Sequence, residues 1–214
     1  MPYQVFDYRT DIKSLFFTSR IRSRFLRMEP GEVARRHSHD LGHEIFLILE
    51  GECEMEIDGE RALLKPGQLC VAWAHQMHQA SNRGTVPMTM YLSVTPHVEP
   101  THTMYDLETG ERLPPRYNPT GYFDQPDTVA DVSTVELAER QIQAFRAFAE
   151  TVRTAAEAHE NGIQALKAAA AADDQAGVVA AMDSLWAQVR ASHDQIDAMT
   201  NAWNDLAPRA ATRP

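Results

Sequence analysis

The sequence predicts a mainly β protein, a barrel or sandwich, whose last third turns into an α-helical hairpin. Three observations predict it. Between residues 20 and 98, short apolar or alternating runs are separated by turn signals, the pattern of an all-β domain. From Ser133 onward apolar residues recur at three- and four-residue steps, which is a helical period. Between the two, residues 96–131 are rich in proline and aromatics and show neither period. We therefore expect a β-barrel with an N-terminal arm over 1–98, a Pro-rich connector packed on the barrel over 99–131, and a helical hairpin over 132–207.

The elements follow in order. Residues 1–19 hold Tyr3, Phe6, Tyr8, Phe16 and Phe17, too many aromatics for a free leader, and read as an arm covering the barrel. Arg22, Arg24 and their neighbours alternate basic with apolar as a strand. Its arginine side is either a solvated face or a pair of guanidinium groups turned into a cavity to grip a carboxylate. After the turn at Pro30-Gly31 comes Arg35 to Gly51, with His37, His39, His43 and Glu44 ahead of the run Ile45–Leu49. That run is apolar throughout and predicts a strand buried on both faces. Cys53–Ile57 alternates, placing Glu54 and Glu56 on a wet face. Asp58-Gly59 signals a type I′ hairpin, because both central residues of that turn need positive φ. Lys65-Pro66-Gly67 signals a type II turn. Gln68–Trp73 and Met88–Val94 complete the strands. In the connector, proline density excludes central strands and helices, and Tyr105, Tyr117, Tyr122 and Phe123 are expected to pack rather than face water.

In the last third, Val135, Ile142, Phe145, Ala149 and Val152 mark one apolar stripe. Val178, Met182, Leu185, Val189, Ile196 and Trp203 mark another. Such stripes bury one helix against a neighbour. Ser133 is placed to cap the first helix, with Glu136 three residues on. Asp173 or Asp174 is placed to cap the second, and Asn161-Gly162 is a point where the first helix would split.

The polar residues that interrupt the β pattern carry the chemistry. Five of the nine histidines lie between residues 37 and 78. His37 and His39 are two apart, so on a strand they share a face, whereas His43 faces away from Glu44. Imidazole and carboxylate are ligands of first-row transition metals. Gly31, five residues, His37-x-His39, four residues, Glu44, six residues and Gly51 resemble the first motif of the cupin family. Gly67, ten residues, His78, three residues and Asn82 resemble the second. Trp73 stands where cupins usually have proline, His75 where they usually have glycine, and Gln68 replaces a common aspartate. The resemblance covers roughly residues 20–98. It implies a double-stranded β-helix, and His37, His39, Glu44 and His78 as ligands of one divalent transition metal, iron first, with zinc, manganese or nickel as alternatives. His75 is then a candidate acid/base residue, and Trp73 and Met77 candidate walls of the pocket. His97 and His102 have no informative spacing, and His193 reads as helix packing.

Composition narrows the function. A formal net charge of −10 argues against nucleic acid, which asks for a basic patch, and against an anionic membrane surface. Residues 132–214 hold 7 Lys/Arg against 11 Asp/Glu, a poor balance for phosphate contacts. No signal-like leader and no span of bilayer length is visible, so a cytoplasmic protein is expected. Cys53 and Cys70 read as buried thiols. The expected function is a metal-dependent enzyme acting on a small oxygenated molecule, an Fe(II) dioxygenase first. A Zn-, Mn- or Ni-dependent isomerase or lyase is the alternative, and a non-catalytic ligand-sensing barrel a further one. The expected partners are the small-molecule substrate and a second copy of the chain in a homodimer.

Overall fold

The structure is a computed structural model and describes residues 3–124 and 126–211. It divides into two compact units. One runs to Ala130 and includes the short turn Ala207–Ala210; the other is Asp131–Leu206.

The first unit is two antiparallel five-stranded sheets. Its strands are β1 (Ser14–Phe17), β2 (Arg22–Met28), β3 (His37–Ser38), β4 (His43–Glu50), β5 (Cys53–Ile57), β6 (Glu60–Leu64), β7 (Leu69–Ala72), β8 (His78–Ser81), β9 (Met88–Thr95) and β10 (Thr103–Met104). One sheet has the order β1-β2-β9-β4-β7 and the other β10-β3-β8-β5-β6. This is the double-stranded β-helix arrangement. The alternation expected of each strand decides what lies between the sheets. Phe46 and Ile48 of β4, Met88, Met90 and Leu92 of β9, and Cys53 and Met55 of β5 form one buried cluster. Fully burying a side chain such as Ile48 stabilises the fold by roughly 1.5–3 kcal/mol.

The turns have the expected chemistry. Asp58 and Gly59 both have positive φ, 49° and 86°, between β5 and β6. Gly67 has φ 83° and the Gln68 N–H donates to the Lys65 carbonyl, closing the second turn. Three readings need correction. Ile45, Leu47 and Leu49 are half-exposed, so β4 is fully buried on one face only. Glu56 is buried, because Arg36 and Arg61 both pair with it and replace the lost water. In the connector Tyr122 is exposed while Phe123 is buried. Both thiols are free, and burial pushes each up to about 11.

The second unit is α1 (Thr134–Ala171) and α2 (Gln175–Leu206). Ser133 caps α1 by accepting the Glu136 N–H. Asp174 caps α2 by accepting the Gly177 N–H. α1 is not split at Gly162. A Cβ there would come within 2.8 Å of a Leu185 methyl, so the residue serves close approach of the two helices. The buried positions are Leu137 and Ala155 on α1 and Ala181, Leu185 and Thr200 on α2. Val135, Ile142, Phe145, Val152, Met182, Val189 and Ile196 are exposed, off the seam that the stripes predicted. Small residues let the backbones approach, so alanines share the buried positions with Leu137 and Leu185 while most of the other bulky stripe residues stay outside. No helix among the described residues is long and apolar enough to cross a membrane.

Candidate metal centre

Strand pairing assembles the site. β3 and β8 are neighbours, and His37 lies directly opposite His78. His39 follows just beyond β3. Glu44 comes from the facing sheet, on β4, where its neighbours across the strands are Ala72 and Val94. Being in phase with Phe46 and Ile48, it points inward with them. One ligand atom from each of His37, His39, Glu44 and His78 lies within 4.8 Å of all the others. Glu44 Oε2 is 2.9 Å from His39 Nε2, 2.9 Å from His78 Nε2 and 3.7 Å from His37 Nε2.

The imidazole tautomers follow from their outer partners. His37 Nδ1 lies 2.9 Å from the Arg35 carbonyl, His78 Nδ1 lies 2.9 Å from the Gln76 carbonyl, and His39 Nδ1 meets the Thr101 carbonyl. A carbonyl only accepts, so each Nδ1 carries the proton and each Nε2 keeps a lone pair. Three lone pairs and a carboxylate oxygen therefore face one point, with His37 Nε2 and His78 Nε2 only 3.2 Å apart. A cation at that point resolves the repulsion. Backbone carbonyls behind ligating imidazoles are the usual outer support of a metal site. The residues present thus fit a divalent metal.

Charge agrees with this reading. Burial opposes ionisation of Glu44, but the three imidazoles packed around it outweigh burial and hold its pKa well below the usual carboxylate range. Burial lowers the His37 pKa, favouring the neutral imidazole that a metal needs. Glu44 Oε1 faces the other way, 3.9 Å from Arg22 Nη2. Arg22 is buried, with its guanidinium 4.5 Å from the centre of the Phe123 ring. Of the two readings of that arginine face, the inward one holds for Arg22.

The structure also places the remaining candidates. His75 is exposed, and its imidazole is outside the four-residue cluster. Its backbone N–H donates to the His39 carbonyl, 2.8 Å away, and its φ is 71°. That left-handed backbone explains why cupins favour glycine at this place. Trp73 packs edge-on against His43, 5.0 Å between centroids, and lines a separate depression of about 490 Å3 with Met55 and Cys70. The Met77 N–H donates to Asp58 Oδ1 in the hairpin turn.

One residue had no signal in the sequence. His102, from the connector, sits 4.6 Å from His37 and 5.2 Å from His39, ring centre to ring centre. Burial, then the neighbouring His37, keeps its pKa well below the ordinary value, so it is a neutral base beside the ligands. A cleft of about 660 Å3 opens where His37 and His102 line it. Thr101, next to His102, supplies the carbonyl behind His39. The connector is thus part of the site.

Three imidazoles and one carboxylate converge between the sheets of a double-stranded β-helix, a barrel with a candidate metal site. Residues 24–95 match the family model described as "Cupin domain". The match falls within the barrel unit and identifies a cupin domain there. No curated protein matches it. Among solved structures, KdgF from Halomonas sp. is 25% identical with a TM-score of 0.39, covering 41% of this chain and 79% of that one. A sugar phosphate isomerase of the cupin superfamily from Silicibacter pomeroyi is 28% identical with a TM-score of 0.38, covering 42% and 59%. A protein from Thermus thermophilus, TT1209, is 26% identical with a TM-score of 0.38, covering 39% and 80%.

Proposed function

We propose that the chain is a metal-dependent enzyme acting on a small oxygenated organic molecule, with His37, His39, Glu44 and His78 as the metal ligands. The convergence of their four ligand atoms within 4.8 Å, beside an open cleft, carries this reading. When bound, the metal supplies a Lewis-acidic centre with open positions and, for iron, redox chemistry with dioxygen. The Arg35, Thr101 and Gln76 carbonyls fix the three ring orientations. Arg22 lies on the outer side of Glu44, its Nη2 3.9 Å from Oε1, while Oε2 faces the centre. Our first reading of the reaction is oxygenative C–C cleavage with Fe(II).

A second reading is favoured by His102. A neutral imidazole beside the ligands can take a proton from a substrate carbon or hydroxyl and return it elsewhere. That suits an isomerase or lyase using zinc, manganese or nickel. His75 is exposed in the free protein and would act only if substrate reached it. A ligand-sensing barrel without turnover is the reading that both oppose. We place the enzyme in the cytoplasm as a homodimer, and light scattering on the purified chain measures the second of these.

The test is elemental analysis of protein purified anaerobically without chelator, beside His78→Ala. One equivalent of iron, lost in the variant, together with oxygen uptake on a panel of catechols, diketones and hydroxy-ketones, supports the first reading. Full zinc, manganese or nickel with oxygen-independent turnover supports the second. Failure to bind any of these metals after reconstitution would overturn the enzyme reading.

A further inference from the structure

The cleft beside the metal centre has a one-sided lining. Ten residues line it, and Arg35 and Arg116 are the charged ones, with no aspartate or glutamate among them. The bias runs against the chain as a whole, which has 30 acidic residues and a net charge of −10. Elsewhere on this unit exposed arginines find carboxylates: Arg9 pairs with Asp7, Arg27 with Glu29, Arg61 with Glu54 and Glu56, Arg83 with Glu54, and Arg112 with Asp40. Neither Arg35 nor Arg116 makes a salt bridge among the described residues. Behind the lining, Glu44 faces His37 at the inner end, and Glu99 is buried and engaged by the Asn118 side chain.

The deeper surroundings add positive charge. Arg22 is buried, and its Nε and Nη2 have no hydrogen-bond partner. Loading a divalent ion on Glu44 would set that ion and three arginines against two carboxylates, Glu44 and Glu99. Such an imbalance in a partly enclosed space attracts anions. Arginine suits carboxylate and phosphate oxygens because its planar fork donates two parallel hydrogen bonds. A volume of about 660 Å3 lies within the usual range for small-molecule sites.

We propose that this cleft binds a small anionic ligand, a polyol or keto compound bearing a carboxylate or phosphate. Arg35 and Arg116 hold the acidic group while the oxygenated carbons reach the centre at His37. The inner end of this arrangement rests on the metal-centre reading; the arginine end does not. The ligand's charge, not its carbon skeleton, is what the cleft selects.

The test uses the full chain as purified, titrated calorimetrically with three matched probes: glycerate, glycerol 3-phosphate and neutral glycerol. Arg35→Gln, Arg116→Gln and the double variant are run beside the wild type, with metal content measured on every sample. At least one anion should bind at least tenfold tighter than glycerol. Each substitution should weaken that anion by roughly tenfold to a hundredfold, and Arg116→Gln should leave both metal content and glycerol binding unchanged. Preference for glycerate or for the phosphate identifies the acidic group, and either supports the inference. Equal binding of all three probes, or full anion affinity in the double variant, overturns it. Wild type that holds no metal yet keeps arginine-dependent anion binding sinks the metal-centre reading and leaves this one standing.

Discussion

The barrel and the helical hairpin fill their interiors with different side chains. Between the sheets the space is taken by bulk: Phe46, Ile48, Met88, Met90 and Leu92. Between α1 and α2 the buried positions are mostly alanine, leucine and a threonine, with Gly162 against Leu185. Two sheets stand about 10 Å apart and need large side chains to meet. Two helices can close to about 8–10 Å between axes, and small residues let them do so. A polar side chain in the barrel interior therefore stands out as something that must have a partner. An apolar side chain on the helices carries less information, since the seam does not ask for size. The chain also places one tryptophan, Trp73, in the barrel unit, and two, Trp186 and Trp203, in the hairpin. Fluorescence of single-tryptophan variants can thus follow each unit.

The largest difference between the units should come from metal. Adding the metal that the protein carries should raise the unfolding temperature reported by Trp73, by an amount that grows with its excess over Kd, about 2.7 kcal/mol at a hundredfold excess. The signal from Trp186 and Trp203 should not move. Glu44→Ala should abolish both the binding and the shift. An equal response of the hairpin signal would break the distinction.

Next in size is the core itself. Met90→Ala should destabilise the barrel by about 2–5 kcal/mol, from lost transfer energy and the cavity left behind. Phe145→Ala, off the hairpin seam, should change hairpin stability by no more than about 0.5 kcal/mol. Urea unfolding measures both. A Phe145 loss as large as the Met90 loss would show that the exposed stripe is covered by something in solution.

This asymmetry explains how much could be read from sequence. The grouping of His37, His39, Glu44 and His78 was expected from the resemblance of two motifs, and strand alternation, which acts locally, accounts for part of it: His37 and His39 share a face, and Glu44 falls in phase with Phe46 and Ile48. The Asp58-Gly59 turn and the Ser133 cap were legible for the same local reason. His102 was not, because it reaches the site through an aperiodic connector whose path is set by tertiary contacts. The buried state of Arg22 was one of two readings, since alternation gives a face but not what covers it. The hairpin seam was read only in part: Leu185 of the second stripe is buried, but most of the other bulky stripe residues face outward, and Ala155, Ala181 and Gly162 allow the close packing.

An acid titration should separate the units further. His97, fully buried in the barrel unit with its ring centre 4.6 Å from that of Phe17, has its pKa lowered to about 3 from 6.5, chiefly by burial and then by Arg22. The folded protein therefore binds fewer protons there than the unfolded chain does between these values. The associated stability is complete above about pH 6.5 and is lost as pH falls toward about 3, with a total of a few kcal/mol. His97→Phe should flatten the pH dependence of barrel unfolding in that window. The hairpin signal should keep its own pH profile. An unchanged barrel slope in the variant would assign the acid sensitivity to other groups.

The smallest effect tests the seam directly. At Gly162 a new Cβ would lie 2.8 Å from Leu185 Cδ2 and 3.3 Å from its Cγ. The contact is with the end of a side chain, so Gly162→Ala should be tolerated, its better helix propensity offsetting a small shift of Leu185. Gly162→Val adds branches that the seam has no room for, and should cost about 1–3 kcal/mol of hairpin stability through overpacking. If the cost arises at Leu185, then Leu185→Ala, which is itself destabilising, should remove most of the penalty when combined with it. The two changes would then be strongly non-additive, as expected for residues in contact. Additive losses in the double variant would mean that the valine acts through backbone propensity alone. The close approach of α1 and α2 would then not be what Gly162 provides.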